Sequence, residues 1–208
     1  DMEGRSKDID VLFTATPHGV AMKLAEQVLC AGKKIIDIGA DFRIKDPKVY
    51  EKWYGLSHTA PHILRNSVYG LPEINRENIR KAAVLANPGC YPTVSILSVA
   101  PLLKNKLVDA DTISIDAKSG ISGAGRAPKP NLHFPEINEG MTAYGVGTHR
   151  HIPEIEQELG NIAGEKINIS FVPHLIPINR GMIATCYAKS IKKISTDELL
   201  DLYKKFYK

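Results

Sequence analysis

Ile9-Asp10-Val11-Leu12-Phe13, followed by Thr14-Ala15-Thr16-Pro17-His18-Gly19, is the stretch that decides how this chain folds. A short apolar run halted by a Pro/Gly turn reads as a strand, and the helical pattern over residues 20–30 that follows closes at Gly32. Lys34-Ile35-Ile36-Asp37-Ile38 supplies a second strand. Strand, turn, helix, glycine, strand is the βαβ unit of a parallel sheet, in which ligands sit beyond the carboxyl ends of the strands. Residues 14–19 and 39–43 occupy that edge. A third short strand, Ala83-Val84-Leu85-Ala86, leads straight into Asn87 at the same edge. The segment between, residues 46–81, is polar, with Trp53-Tyr54-Gly55 and Tyr69-Gly70-Leu71-Pro72 as turn material.

Asn87-Pro88-Gly89-Cys90-Tyr91-Pro92-Thr93 then sets a cysteine where a turn hands over to a helix that is apolar almost all round. Free backbone N–H groups and the positive dipole end at a helix start favour an anion, so Cys90 is placed to serve as a thiolate nucleophile. Beyond it, Thr112-Ile113-Ser114-Ile115-Asp116-Ala117 alternates like a half-buried strand. Residues 119–128 are too rich in Gly and Pro for a regular element and read as a functional loop. A short helix is expected over residues 152–159, with Pro153 near its start, and strands over 167–172 and 182–189. The last helix, residues 195–206, opens with a capping box, Ser195 and Glu198, and carries Leu199, Leu202, Tyr203 and Phe206 on one face.

The 208 residues, 43% hydrophobic and 24% charged, suffice for one large domain or two small ones. The net charge of +4 is scattered, which argues against nucleic-acid binding and suits an anionic substrate. Three widely spaced cysteines, Cys30, Cys90 and Cys186, suggest neither a disulfide framework nor a metal site and fit a reducing, cytoplasmic setting. No run of 18 apolar residues reads as a membrane span. Both ends look unfinished. The Gly-rich first βα turn that grips a dinucleotide pyrophosphate is absent, and the last helix is still amphipathic when the sequence stops.

A cysteine nucleophile needs an acid–base partner, a grip on substrate and oxyanion donors. His149-Arg150-His151, just ahead of Pro153 and Glu154, offers two imidazoles that point to opposite faces if the segment is extended. Arg43 lies at the strand edge, where its guanidinium can clamp a phosphate or carboxylate, or pair with Asp41 or Asp46. Arg126, in the Gly-rich loop, has the same two readings, and Arg180 is as well suited to surface as to site. His18 is equally a pocket or a turn residue. His58, His62, His133 and His174 give no argument from spacing, and Cys30 and Cys186 read as core.

Five motifs in this order are similar to one family. They are Gly39-Ala40-Asp41-Phe42-Arg43, the Asn87-to-Thr93 stretch, the loop from Ser119 to Arg126, His149-Arg150-His151-Ile152-Pro153-Glu154, and Phe171-Val172-Pro173-His174-Leu175 with Asn179-Arg180-Gly181. The chain resembles the N-acetyl-γ-glutamyl-phosphate reductases of arginine biosynthesis over nearly its whole length. That resemblance implies an α/β protein: residues 1–89 as the C-terminal part of a Rossmann-type NADP-binding domain, and 90–208 as a catalytic and oligomerisation domain built on a mixed sheet, as in glyceraldehyde-phosphate and aspartate-semialdehyde dehydrogenases. It implies NADP(H) as cofactor, a small acyl-phosphate substrate, and a homo-oligomer, dimer or tetramer, without nucleic acid or membrane. It also implies roles: Cys90 forms a thioester, His151 or His149 moves protons, Tyr144, Glu154, Arg43 and Arg126 act on the substrate side, and Thr16, Pro17, Ser119 and Gly120 touch the cofactor. Two rival readings are a related semialdehyde dehydrogenase, of aspartate-semialdehyde type, and a cysteine hydrolase or acyltransferase without nicotinamide.

Overall fold

A computed structural model describes residues 9–208, so the first eight residues of the expected cofactor domain lie outside it. The chain divides into two compact units, residues 1–89 and 90–208.

The first unit is a parallel sheet with strand order β1-β2-β4-β3, formed by β1 (Val11–Thr14), β2 (Lys34–Asp37), β3 (Val68–Tyr69) and β4 (Val84–Ala86). Helix α1 (Ala21–Cys30) joins β1 to β2 and buries Ala21, Met22, Ala25 and Val28, the i, i+4, i+7 stripe of a core-facing helix. They pack with Ile35, Phe42, Tyr50 and Leu64 into one apolar cluster. Fully burying each of the larger side chains contributes roughly 1.5–3 kcal/mol.

Residues 46–81, expected to be polar connection, instead hold three helices and a strand. They are α2 (Pro47–Tyr54), α3 (Pro61–Asn66), the two-residue β3, and α4 (Pro72–Lys81). Each helix starts on a proline, whose fixed φ and missing N–H suit that position. For α2 the ends are set by Asp46, which accepts from the Lys48 N–H at 2.8 Å, and by Gly55, at φ 69°. The expected turn at Trp53-Tyr54-Gly55 is therefore the end of a helix, and Tyr69 belongs to a strand.

The second unit is a mixed sheet of order β6-β7-β5-β8, with β5 (Ser114–Gly120) parallel to β7 (Ser170–Ile176) and antiparallel to β8 (Met182–Tyr187), and β6 (Thr142–Ala143) antiparallel to β7. The expected α/β class, a parallel sheet plus a mixed one, is what the chain forms. Helix α5 (Cys90–Lys104) packs on α7 (Ile152–Ala163), on β8 and on α8 (Thr196–Phe206); a single turn, α6 (Phe134–Ile137), precedes β6. Helix α7 runs one turn beyond the expected end, to Gly164 at φ 80°. Strand β7 begins later than expected and continues through Pro173, whose carbonyl takes the Tyr144 N–H at 3.0 Å. Strand β5 likewise absorbs Ser119 and Gly120, which had been expected in the loop. The capping box at Ser195 is present in both directions, and Leu199, Leu202, Tyr203 and Phe206 form the half-buried face of α8. Tyr203 anchors it by donating to the Ser98 carbonyl at 2.5 Å.

Candidate active site

Cys90 is the first residue of α5 and its side chain is exposed, so the thiol meets solvent at the end of the helix where the first N–H groups have no intrahelical partner. Tyr91, the next residue, is 2% exposed and sits at the centre of a polar and aromatic cluster. Its hydroxyl donates to the His174 carbonyl at 3.1 Å, accepts from the Tyr144 hydroxyl at 3.1 Å, and is hydrogen-bonded to Ser119. Around its ring stand His149 (5.6 Å between centroids), Phe171 (5.5 Å) and His151 (6.2 Å). Tyr144 meets His149 edge-on at 5.5 Å, and the two imidazoles are 4.8 Å apart.

Burial is the largest influence on these groups. It pushes the Tyr91 phenol well above its usual range, assisted by negative charge at Cys90. Burial and charge at Cys90 also raise Tyr144. Both phenols therefore remain protonated donors beside the thiol. Burial, with a smaller contribution from the Arg150 charge, lowers His149 to about 4. Nδ1 of His149 accepts the His151 backbone N–H at 3.1 Å, which assigns the ring proton of the neutral imidazole to Nε2. A neutral imidazole held in that tautomer is a hydrogen-bond donor at Nε2.

The other expected residues fall as follows. Glu154 is 0% exposed in the first turn of α7. Ser119 is buried, donates to the Gly120 carbonyl at 3.0 Å and supports Tyr91; the Gly120 N–H is bonded to the Gly181 carbonyl at 2.9 Å. Arg126 is exposed beyond the 3₁₀ turn at Ile121–Ala124. In the first unit, Arg43 is 7% exposed and donates from Nε to the Asn87 carbonyl at 2.7 Å and from Nη2 to the Ile38 carbonyl at 2.9 Å. It thus ties together the chain beyond β2 and the Asn87-Pro88-Gly89 turn.

Thr16 and Pro17 lie in the turn after β1, where a parallel sheet ordinarily offers a helix N-terminus to an anion. That position is filled from within. The Asp41 carboxylate accepts the Gly19 N–H at 2.9 Å, the Met22 N–H at 3.2 Å and the Tyr50 hydroxyl at 2.8 Å. This turn does not fit a pyrophosphate. The Thr16 hydroxyl, buried and without a hydrogen bond among the described residues, leaves one polar group at this edge for a different part of a cofactor.

Sequence reasoning gave no role to Tyr91 or His174. The carboxylate of Asp116 lies 3.1 Å from Nδ1 of His174 and is paired with Lys118, a trio that the parallel register of β5 and β7, Lys118 opposite His174, brings together. Strand alternation puts Asp116 and Lys118 on one face, but nothing local to His174 signals its partner. Among the described residues there is no cluster of three or more His, Cys, Asp or Glu placed to hold a metal ion, and no helix long and apolar enough to cross a membrane.

The fold has counterparts in known proteins. Residues 1–82 match the family model described as semialdehyde dehydrogenase, NAD binding domain, and residues 90–208 match that of the semialdehyde dehydrogenase dimerisation domain. The chain belongs to the semialdehyde dehydrogenase family. Its curated relatives include proteins named N-acetyl-γ-glutamyl-phosphate reductase from Pelotomaculum thermopropionicum (53% identical over 199 residues, 96% of this chain and 57% of the relative), Desulforudis audaxviator (55% over 199 residues, 96% and 58%) and Lachnoclostridium phytofermentans (50% over 207 residues, 100% and 60%). The resemblance read from the five motifs is the one these relatives show. The chain spans less than two thirds of their length, 57–60% in these three. Similar solved structures include aspartate semialdehyde dehydrogenase II from Vibrio cholerae (TM-score 0.71, 15% identity, 96% of this chain and 61% of that one) and an aspartate semialdehyde dehydrogenase with NADP from Candida albicans (0.63, 13%, 94% and 54%). At such identities they show the shared fold.

Proposed function

We propose that this protein reduces N-acetyl-glutamyl 5-phosphate to N-acetyl-glutamate 5-semialdehyde and phosphate, a step of arginine biosynthesis, through a thioester on Cys90. The observation that carries the reading is the exposed Cys90 thiol at the start of α5, followed at once by Tyr91, whose ring meets the imidazoles of His149 and His151. The thiolate attacks the acyl carbonyl, the bond to the phosphate oxygen breaks, and phosphate leaves. An acyl phosphate is already activated, so the protein's work is to position it, supply thiolate and stabilise the oxyanion. The Cys90 N–H at the helix start and the Nε2–H of neutral His149 are the donors for that oxyanion. His151 is the acid–base partner, because His149 is committed through Nδ1 to the His151 backbone. Glu154, buried in the first turn of α7, is assigned the orienting of this pair, and the exposed Arg126 is assigned to the substrate's anionic group. Arg43 holds the turn that leads into Cys90.

A nicotinamide cofactor, NADP(H) in this reading, supplies the hydride that takes the thioester to the aldehyde. Thr16, Pro17, Ser119 and Gly120 are the candidates for contact with it. The first unit is its domain, and the second is the catalytic and oligomerisation domain of a homo-oligomer in the cytoplasm. The family description of residues 90–208 as a dimerisation domain and the NADP named with the Candida albicans structure support this assignment.

The reverse direction tests it. With N-acetyl-glutamate semialdehyde as substrate, NADP⁺ reduction should require inorganic phosphate. Hydrolysis of the acyl phosphate with no need of nicotinamide would overturn the reading in favour of a cysteine hydrolase.

A further inference from the structure

His174 is the point where the two faces of the mixed sheet meet. Along β5 and β7, Ala117, Phe171 and Pro173 are buried on one face, and Asp116, Lys118 and His174 alternate with them on the other, only partly covered. Tyr91 packs on the buried face, its ring 5.5 Å from that of Phe171, and its hydroxyl donates to the His174 carbonyl at 3.1 Å. The His174 imidazole stands on the opposite face. There its Nδ1 and Oδ1 of Asp116 face each other at 3.1 Å, both shielded from solvent and with no other partner among the described residues, while Oδ2 of Asp116 is paired with the Lys118 ammonium. A carboxylate opposite Nδ1 selects the imidazole that carries a proton on that nitrogen, and the lysine holds the carboxylate in place.

One residue thus holds an ion trio with its side chain and Tyr91 with its backbone. The strand needs that support here, because Pro173 has no N–H to give and so removes a ladder bond beside His174 in a strand paired on both sides. Tyr91 in turn is the neighbour of Cys90 in the first turn of α5, and its ring meets His149 and His151 at 5.6 and 6.2 Å between centroids. We infer that Asp116 and Lys118 are positioning residues that act through His174. Holding the imidazole fixes β7 next to the proline, the fixed carbonyl holds Tyr91, and Tyr91 sets the first turn of α5 and the two imidazoles around its ring. The inference rests on the Cys90 thioester reading for the reaction that is served, but not for the link itself.

A double-mutant cycle tests the link. Asp116→Ala and His174→Leu should each lower kcat by about three- to tenfold at nearly unchanged KM, the size of effect that coupling through shared contacts produces. His174→Asn, whose amide N–H can stand in for Nδ1–H, should recover most of that loss. Ser114→Ala, on the same face of β5, should leave kcat as it is. In a Tyr91→Phe background the link is already cut, so Asp116→Ala should then have no further effect. Additive losses from Asp116→Ala and Tyr91→Phe, a loss in His174→Asn as large as in His174→Leu, or an equal loss in Ser114→Ala overturns the inference. A cooperative unfolding transition in each variant confirms that it is folded. The rate of iodoacetamide alkylation, mapped to the Cys90 peptide, gives the same cycle with neither nicotinamide nor acyl phosphate. Coupled alkylation in a protein without reductase activity would sink the functional reading and leave the link standing, and additive alkylation in an active reductase would do the reverse.

Discussion

The His151 backbone N–H donates to Nδ1 of His149 at 3.1 Å, so the two histidines of one motif are not equivalent. His149 is held as a neutral donor at Nε2, and in the proposed mechanism His151 exchanges the proton. Replacing His151 with Asn should lower the rate of thioester formation by about 10²–10⁴-fold. His149→Asn should act mainly on oxyanion stabilisation, with a kcat loss whose pH dependence follows that of the wild type. Pre-steady-state phosphate release, measured across pH for both variants, separates the two roles; a pH profile altered only by His149→Asn would reverse the assignment.

Burial of His149, with a smaller contribution from the Arg150 charge, also makes folding sensitive to acid. His149 stays neutral in the fold down to about pH 4, whereas in the unfolded chain a histidine takes up its proton near 6.5. Between these values the unfolded state binds more protons, so stability is full above pH 6.5 and is lost as pH falls towards 4, by at most about 3 kcal/mol. His58 acts in the same direction in the first unit, where burial lowers it and its Nδ1 accepts the Ala60 N–H. Urea unfolding at pH 7, 5.5 and 4.5 should show this decline, reduced in His149→Gln. A flat profile for the wild type would contradict it.

Tyr91→Phe keeps the ring that packs on His149 and Phe171 but removes the hydroxyl shared by Tyr144, His174 and Ser119. Stability should fall by about 1–2 kcal/mol, the cost of leaving buried partners unmet. Turnover should fall about tenfold, equivalent to ~1.4 kcal/mol in the barrier, as Tyr144 loses its fixed position. Steady-state kinetics beside thermal unfolding checks both, and unchanged turnover would remove Tyr91 from the account.

Asp41 fills the start of α1 with a carboxylate that accepts Gly19, Met22 and Tyr50. Asp41→Ala leaves these three donors without their acceptor and should cost about 1–3 kcal/mol for each that stays buried, while Asp41→Asn retains one acceptor oxygen and should cost less. Chemical denaturation of both variants gives the order; Asn as damaging as Ala would contradict it.

Gly120→Ala forces a Cβ onto backbone atoms at 2.9 Å, and overpacking of this kind costs about 1–3 kcal/mol. Gly140→Ala, whose Cβ meets nothing nearer than 3.9 Å, sets the baseline. Equal unfolding midpoints for the two would show that these backbone atoms yield.

Local chemistry made much of the fold legible. The βαβ unit around Pro17, the helix start at Cys90 and the capping box at Ser195 and Glu198 are each signalled within a few residues. Residues 46–81 resisted reading because α4 has no fully buried side chain, so its apolar period is weak, and β3 is only two residues long. Three prolines at helix starts were the usable signal. The site was half legible for a different reason. Cys90, His149 and His151 announce themselves by type and spacing, but Tyr91 earns its role from His174, 83 positions away, and Asp41 from Gly19, 22 positions away. Arg43 reads from the sequence as a guanidinium at a strand edge, and its bonds to the Ile38 and Asn87 carbonyls, the latter 44 positions away, are visible only in the fold.

The central claim is a covalent bond, and intact-mass and peptide mass spectrometry read it directly. Mixed with N-acetyl-glutamyl 5-phosphate in the absence of nicotinamide, the protein should gain one N-acetyl-glutamyl group, labile to hydroxylamine and mapped to the Cys90 peptide, and Cys90→Ser should gain none. An adduct that persists in Cys90→Ser, or a turning-over enzyme that never carries one, would contradict the account.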